Sequence, residues 1–140
     1  MSFRNDRTRE LWKNFMPCVP LQENGTRPLL YSVNLYPAIP GPDFFYSDTP
    51  YIKWASIEVL PSWTVPDDFK ELVLPGGLYA VFLHRGATAT AEKTFRYIYM
   101  SWLPGSGYEL DDRPHFEVLG ENYRNDDPGS EEEIWIPVRK

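Results

Sequence analysis

Two stretches of this chain share one pattern. Leu11-Trp12-Lys13-Asn14-Phe15-Met16-Pro17 and Ile98-Tyr99-Met100-Ser101-Trp102-Leu103-Pro104 both run aliphatic, aromatic, two variable residues, aromatic, aliphatic, proline. The apolar positions fall at helical spacing and the proline ends each run, so both read as the last turns of a helix. Each is followed by a loop, a strand, a turn and a strand ending in valine, Val59 and Val138. A strand precedes each helix, although the first is only the Ser2–Asn5 stub. The order strand–helix–strand–strand therefore occurs twice within one domain of 140 residues. Repeat unit 1 covers about residues 1–60 and unit 2 about 76–138. Three strands with one helix cover a single sheet face and leave the other open. Two such units resolve this by turning their open faces toward a shared groove. The predicted fold is α+β: tandem strand–helix–strand–strand units with pseudo-two-fold symmetry and a ligand groove between them.

Local signals fill in this frame. Asn5 or Asp6 offers an N-cap for a short helix over residues 7–16. Residues 31–36 alternate as a half-buried strand. Residues 51–60 form a longer one, with Lys53, Ala55, Ile57 and Val59 on one face and Ile52, Trp54, Ser56 and Glu58 on the other. Residues 61–75 read as loop with a turn of helix near 67–71, and 78–84 as an apolar strand. Thr88 or Thr90 is placed to cap the second helix, whose buried stripe is Ala91, Phe95, Ile98 and Trp102. Pro104-Gly105-Ser106-Gly107 stops it, and strands follow at 115–120 and 132–138.

Charge and composition exclude several functions. The net charge of −6 repels a phosphate backbone, so direct nucleic-acid binding is not expected. One cysteine and two histidines cannot supply a Cys/His zinc set. Cys18 lies just past a helix C-terminus, which does not activate a thiolate. The acidic run around Asp126 to Glu133 lacks calcium-loop spacing. Ser106 follows a helix, so it is a turn residue and no nucleophile elbow. No cofactor and no metal is expected. No apolar run reaches membrane-spanning length and no signal peptide opens the sequence, so the expected location is the cytoplasm, away from membranes. Aromatic residues make up 16% of the chain, more than a core of this size needs, so some rings should line a concave surface.

At this point a family resemblance becomes specific. Tyr79-Ala-Val-Phe-x-His-x-Gly86 resembles the GyrI-like family, the AraC-type effector-binding or SbmC-like domains. So does Ile98-Tyr-x-x-Trp-Leu-Pro-x-Ser-Gly-Tyr-Glu-x-Asp-Asp-Arg-Pro-x-Phe-Glu117, followed by Glu131-Glu-Glu-Ile-Trp-x-Pro-Val138. Lys53-Trp-Ala-x-x-Glu-Val59 and Leu11-Trp-x-x-Phe-Met-Pro17 extend the likeness over nearly the whole chain. The resemblance implies the tandem fold with a ligand groove, and it places the ligand-binding glutamate at Glu117. It departs from the family where a groove tyrosine often stands, at Leu119, and in the clipped first strand.

The candidate site follows. Glu117 alternates with Phe116 and Val118, which are expected in the core, so it should face the groove with His115 and Leu119. Ile134, Ile136 and Val138 are best spent against the helices, which throws Trp135 toward the same groove. Flat or cationic ligands suit an indole beside a carboxylate. Superposing the repeats adds Trp54 and Glu58 from the other unit, with Trp102 and Tyr79 as further lining. Glu117 and Trp135 must look onto one hollow for this site to exist. The expected function is a stand-alone binding domain for amphipathic, often cationic small molecules. An alternative implied by the resemblance is a hydrolase that opens electrophilic cyclopropane-type DNA-alkylating natural products, with Glu117 as the catalytic group. A protein-interaction role is a third reading.

Overall fold

The computed structural model describes residues 7–20, 28–39, 50–59, 65–87, 90–120 and 128–140. In chain order the elements are α1 (Thr8–Phe15), β1 (Leu30–Leu35), β2 (Ile52–Ile57), β3 (Tyr79–Arg85), α2, β4 (Glu109–Leu110), β5 (His115–Leu119) and β6 (Glu131–Arg139). Helix α2 is α-helical over Ala91–Arg96, widens to a π-helix over Tyr97–Trp102 and tightens again over Leu103–Ser106. The mixed α+β composition agrees with the sequence reading. The stub Ser2–Asn5, the caps Asn5 and Asp6, and Thr88 lie outside the described residues. Thr90 precedes α2, yet its hydroxyl donates to the Ala87 carbonyl (2.8 Å) and caps no helix N–H. The turn of helix expected near 67–71 is a hydrogen-bonded turn, closed by Phe69 N–H to the Pro66 carbonyl.

The strands form one antiparallel sheet in the order β2-β1-β5-β6-β3, with β4 paired to the end of β6. Residues directly opposite one another in an antiparallel pair share a face. The register therefore sorts every side chain. Ile134 faces Phe82 on β3 and Glu117 on β5, and Glu117 faces Ser32 on β1, which faces Ala55 on β2. That row lies on the helix-bearing side. Trp135 faces Val81 and Phe116, Phe116 faces Val33, and Val33 faces Trp54. That row lies on the opposite side.

Helix α2 covers the first side. Ile98 and Tyr99 pack with Leu110, Ile134, Ile136 and Val138 into one core, joined by Ala80, Phe82, Phe95 and Leu103. Ile134, Ile136 and Val138 sit on the helix side, as their period of two predicts. Tyr99 joins the buried stripe because it stands four residues after Phe95, on which its ring stacks (6.4 Å, 8°). The helix ends at Gly107, whose φ of 80° is open to glycine at little cost. The Ser106 hydroxyl donates to the Leu103 carbonyl and accepts the Tyr108 N–H, confirming a turn role.

Arg113 staples the entry to β5. Its Nε meets Asp111 Oδ2 at 2.9 Å, and its Nη2 donates to the carbonyls of Leu78 and Val138. The guanidinium also lies 4.4 Å over the Tyr79 ring. A Cβ at Gly77 would collide with Nη1 of this arginine, which accounts for glycine there.

Candidate functional site

Glu117 stands in the middle of the sheet, on β5, beneath the edge of α2. It is half-buried, and its surroundings on the helix side are unusually polar for a sheet face under a helix. Ser32, Asn34, His115 and Glu132 are all buried there, none more than 9% exposed. Buried polar groups persist only when partnered, so their bonds describe the site. Lys53 Nζ donates to Ser32 Oγ at 3.2 Å. Tyr99 Oη and His115 Nδ1 are hydrogen-bonded at 3.2 Å. Glu132, diagonal to Glu117 across the β5–β6 pair, shares a hydrogen bond with it. Asn34 bonds the Tyr36 side chain, while its own Oδ1 finds no partner.

Burial sets the protonation of this cluster. Glu132 is pushed up to about 9, first by desolvation and then by the neighbouring charge and hydrogen bond of Glu117; Lys53 opposes the shift. It is therefore neutral at pH 7. Desolvation lowers His115 to about 4, leaving the imidazole neutral as well. Tyr36 and Tyr99 are both raised by burial, with Glu117 contributing to each, so both keep their hydroxyl protons.

Rings wall the acid. Tyr36 lies edge-on to His115 (4.9 Å, 66°) and tilted against Tyr51 (5.3 Å). A small hollow of about 10 Å³, room for little more than one water, is lined by Asn34, Tyr36, Phe95, Tyr99 and Glu117 among others. A larger one, about 110 Å³, lies against Leu35, Ala38, Ile39, Asp112 and Pro114. Tyr36 and His115 line both hollows and so form the wall between them.

The side chains of Glu117 and Trp135 do not share a face of the sheet as expected, although both residues border the small hollow. Trp135 pairs with Phe116, one residue from Glu117, and the period of two sends the two side chains to opposite faces. The mistaken step was to assign Phe116 to the helix-side core. Its ring is buried on the other face, stacked on Trp135 (5.3 Å, 17°) and edge-on to Tyr79 (5.4 Å). Trp54 and Tyr79 belong to that face too, and so does Tyr31, whose ring tilts against Phe116. Glu58 lies just past β2, exposed; burial raises Tyr31 first, and the Glu58 charge adds to it. Leu119 shares the face of Glu117 but is buried, 5% exposed. Trp102 leaves the site for the far end of α2, edge-on to Phe82 (5.0 Å).

Sequence reasoning missed Glu132, Asn34, Lys53, Tyr36 and Tyr99. Glu132 carried a usable signal, because a carboxylate in phase with Ile134, Ile136 and Val138 must be buried with them. Asn34 gave the same signal in phase with Leu30 and Ser32.

Among the described residues, no three His, Cys, Asp or Glu side chains are grouped to hold a metal, and no helix is long and apolar enough to cross a membrane. No curated protein matches the chain. The sequence pattern of the GyrI-like small molecule binding domain matches residues 11–139. That span takes in both central strands, α2 and every residue of the polar cluster, and the chain therefore belongs to the GyrI-like family of small-molecule-binding domains.

Proposed function

We propose that the protein binds an amphipathic cation on the helix-bearing face of the sheet, with Glu117 as its anchor. The observation carrying this reading is the half-buried Glu117 at the centre of the sheet, set among Tyr36, Tyr99 and Phe95. Rings supply dispersion and cation–π attraction, and the carboxylate supplies the preference for positive charge. The orphaned Asn34 Oδ1 is a second acceptor in the same hollow. The hollows are smaller than a drug-sized pocket, so entry of a ligand opens the wall made by Tyr36 and His115. The register supports two repeats meeting here: a pseudo-two-fold between β1 and β5 would relate Ala55 opposite Ser32 to Ile134 opposite Glu117. We read the single domain as unit 1, about 1–60, and unit 2, about 76–138. Sequestering a toxin and reporting an effector both use this binding step, and a cytoplasmic location suits either.

Glu117→Gln keeps the shape and removes the charge. It is expected to weaken binding of phenyltrimethylammonium by about tenfold or more, the scale of one lost charge contact at ~1.4 kcal/mol. Calorimetric titration reads this directly, and unchanged affinity would remove Glu117 from the site.

One observation favours the hydrolase alternative. Burial and then the charge of Glu117 keep the Glu132 carboxyl protonated beside Glu117, and a carboxylic acid held next to a second carboxyl is an arrangement acid–base chemistry uses. Conversion of a cyclopropane-bearing alkylator to its water adduct, faster than in buffer and followed by mass spectrometry, distinguishes turnover from binding.

A further inference from the structure

We propose that Glu117 and Glu132 act as one proton-sharing pair, and that a cation docking on Glu117 drives the proton held by Glu132 out to solvent. The inference rests on the cation-binding reading above and adds a coupling to it. Its basis is geometric. The two carboxyls project from adjacent strands onto the same side of the sheet, one register step apart, and Glu132 is only 6% exposed. Two carboxyls brought together away from water share a hydrogen bond only while one of them keeps its proton, since two carboxylates have acceptors only.

The neighbours decide what happens when a cation arrives. Glu132 faces His84 from β3, Glu117 and His115 stand on β5, Lys53 on β2 and Tyr36 beyond the end of β1. From α2, Tyr99 reaches His115, and Thr94 Oγ1 holds His84 Nδ1 at 2.7 Å. His84 is thus occupied with the helix, and Lys53 is the cation already present beside the pair. Before binding, Glu132 is neutral: burial is the first reason that it keeps its proton, and the negative charge of Glu117 is the second. A ligand cation neutralises that charge and competes for the oxygen that accepts the shared hydrogen bond. The O–H bond of Glu132 then breaks, the proton goes to water, and the new carboxylate is balanced by the ligand and Lys53. One positive charge enters as another leaves, so the buried site gains none. The protein's affinity for cations accordingly climbs with pH up to the range where the pair has lost its proton.

Phenyltrimethylammonium carries no titratable proton, and tert-butylbenzene is its neutral isostere. Titration calorimetry at pH 8 in two buffers of different ionisation enthalpy counts the protons exchanged. The expected result for the wild type is release of up to one proton per cation bound and none for tert-butylbenzene. Affinity for the cation should rise by up to about tenfold per pH unit between pH 7 and 9, the slope for one linked proton. Glu132→Gln, whatever its affinity, should show neither proton release nor that pH dependence. Cation binding with no buffer dependence in the wild type overturns the proposal and leaves the binding reading standing. The same proton count in Glu132→Gln also overturns it. Failure of the wild type to bind the cation at any pH overturns the binding reading, and this coupling with it. Should Glu132→Gln not fold, the wild-type buffer comparison alone decides.

Discussion

Above pH 6.5 the protein is expected to lose about 1.4 kcal/mol of stability per pH unit until about pH 9, and Glu132→Gln to abolish that loss. The sign follows from proton counts. Glu132 titrates at 4.5 in an unfolded chain and near 9 in the fold. Between those values the folded protein holds a proton that the unfolded chain does not, so rising pH favours unfolding. His115 works in the other direction. Its folded value of about 4 lies below the ordinary 6.5, so its contribution is complete above 6.5 and is lost as pH falls toward 4. In the overlap, from 4.5 to 6.5, the two slopes oppose and cancel. The wild-type profile should therefore be flat there and decline on the alkaline side, by about 3 kcal/mol up to pH 9. Glu132→Gln leaves His115 alone, so its stability should rise through the overlap and then stay level. Urea unfolding across pH 4.5 to 9.5 reads both curves. A wild-type profile without the alkaline decline would show that Glu132 is ionised in the fold.

Ile98→Ala is expected to cost about 2–5 kcal/mol, a large share of the total stability of a domain this size. Ile98 is fully buried at the centre of the contact between α2 and β6, among Ile134, Ile136 and Val138. Truncation leaves a cavity that the sheet cannot close, because its partners are fixed by strand pairing on both sides. The urea midpoint should fall with the m-value unchanged. A cost under about 1 kcal/mol would mean that α2 is not seated on this face. The result bears on function because the same helix carries Phe95 and Tyr99 over Glu117.

Elements held by local chemistry were legible in the sequence. The period of two in Ile134, Ile136 and Val138 placed β6 correctly against the helices, whereas α2 runs on through Pro104 and Gly105, which were expected to stop it, and ends only at Gly107. The alternation of Lys53, Ala55 and Ile57 against Ile52, Trp54 and Ser56 agrees with the register. Pairing between strands was not legible. Nothing in HFEVLG says which of its faces meets a helix, since Phe116 and Val118 are apolar and so is Leu119. The choice is made by register with β6, where Phe116 rather than Glu117 stands opposite Trp135. A single step of slip would have produced the expected acid–indole pair. The polar cluster was missed for a related reason. Its members come from β1, β2, β5, β6 and α2, and only the fold brings them together. What supports small-molecule binding is the family match and the walled Glu117, with Trp135 and Tyr79 belonging to a separate ring cluster on the far face.

That division gives the most direct measurement. Intermolecular NOEs from the methyl groups of phenyltrimethylammonium, bound to the labelled wild-type protein, report which face of the sheet the ligand occupies. Cross-peaks to the rings of Tyr36, Phe95 and Tyr99 are the predicted result. Cross-peaks to Trp135 and Tyr79 in their place would put the ligand on the opposite face and contradict Glu117 as its anchor.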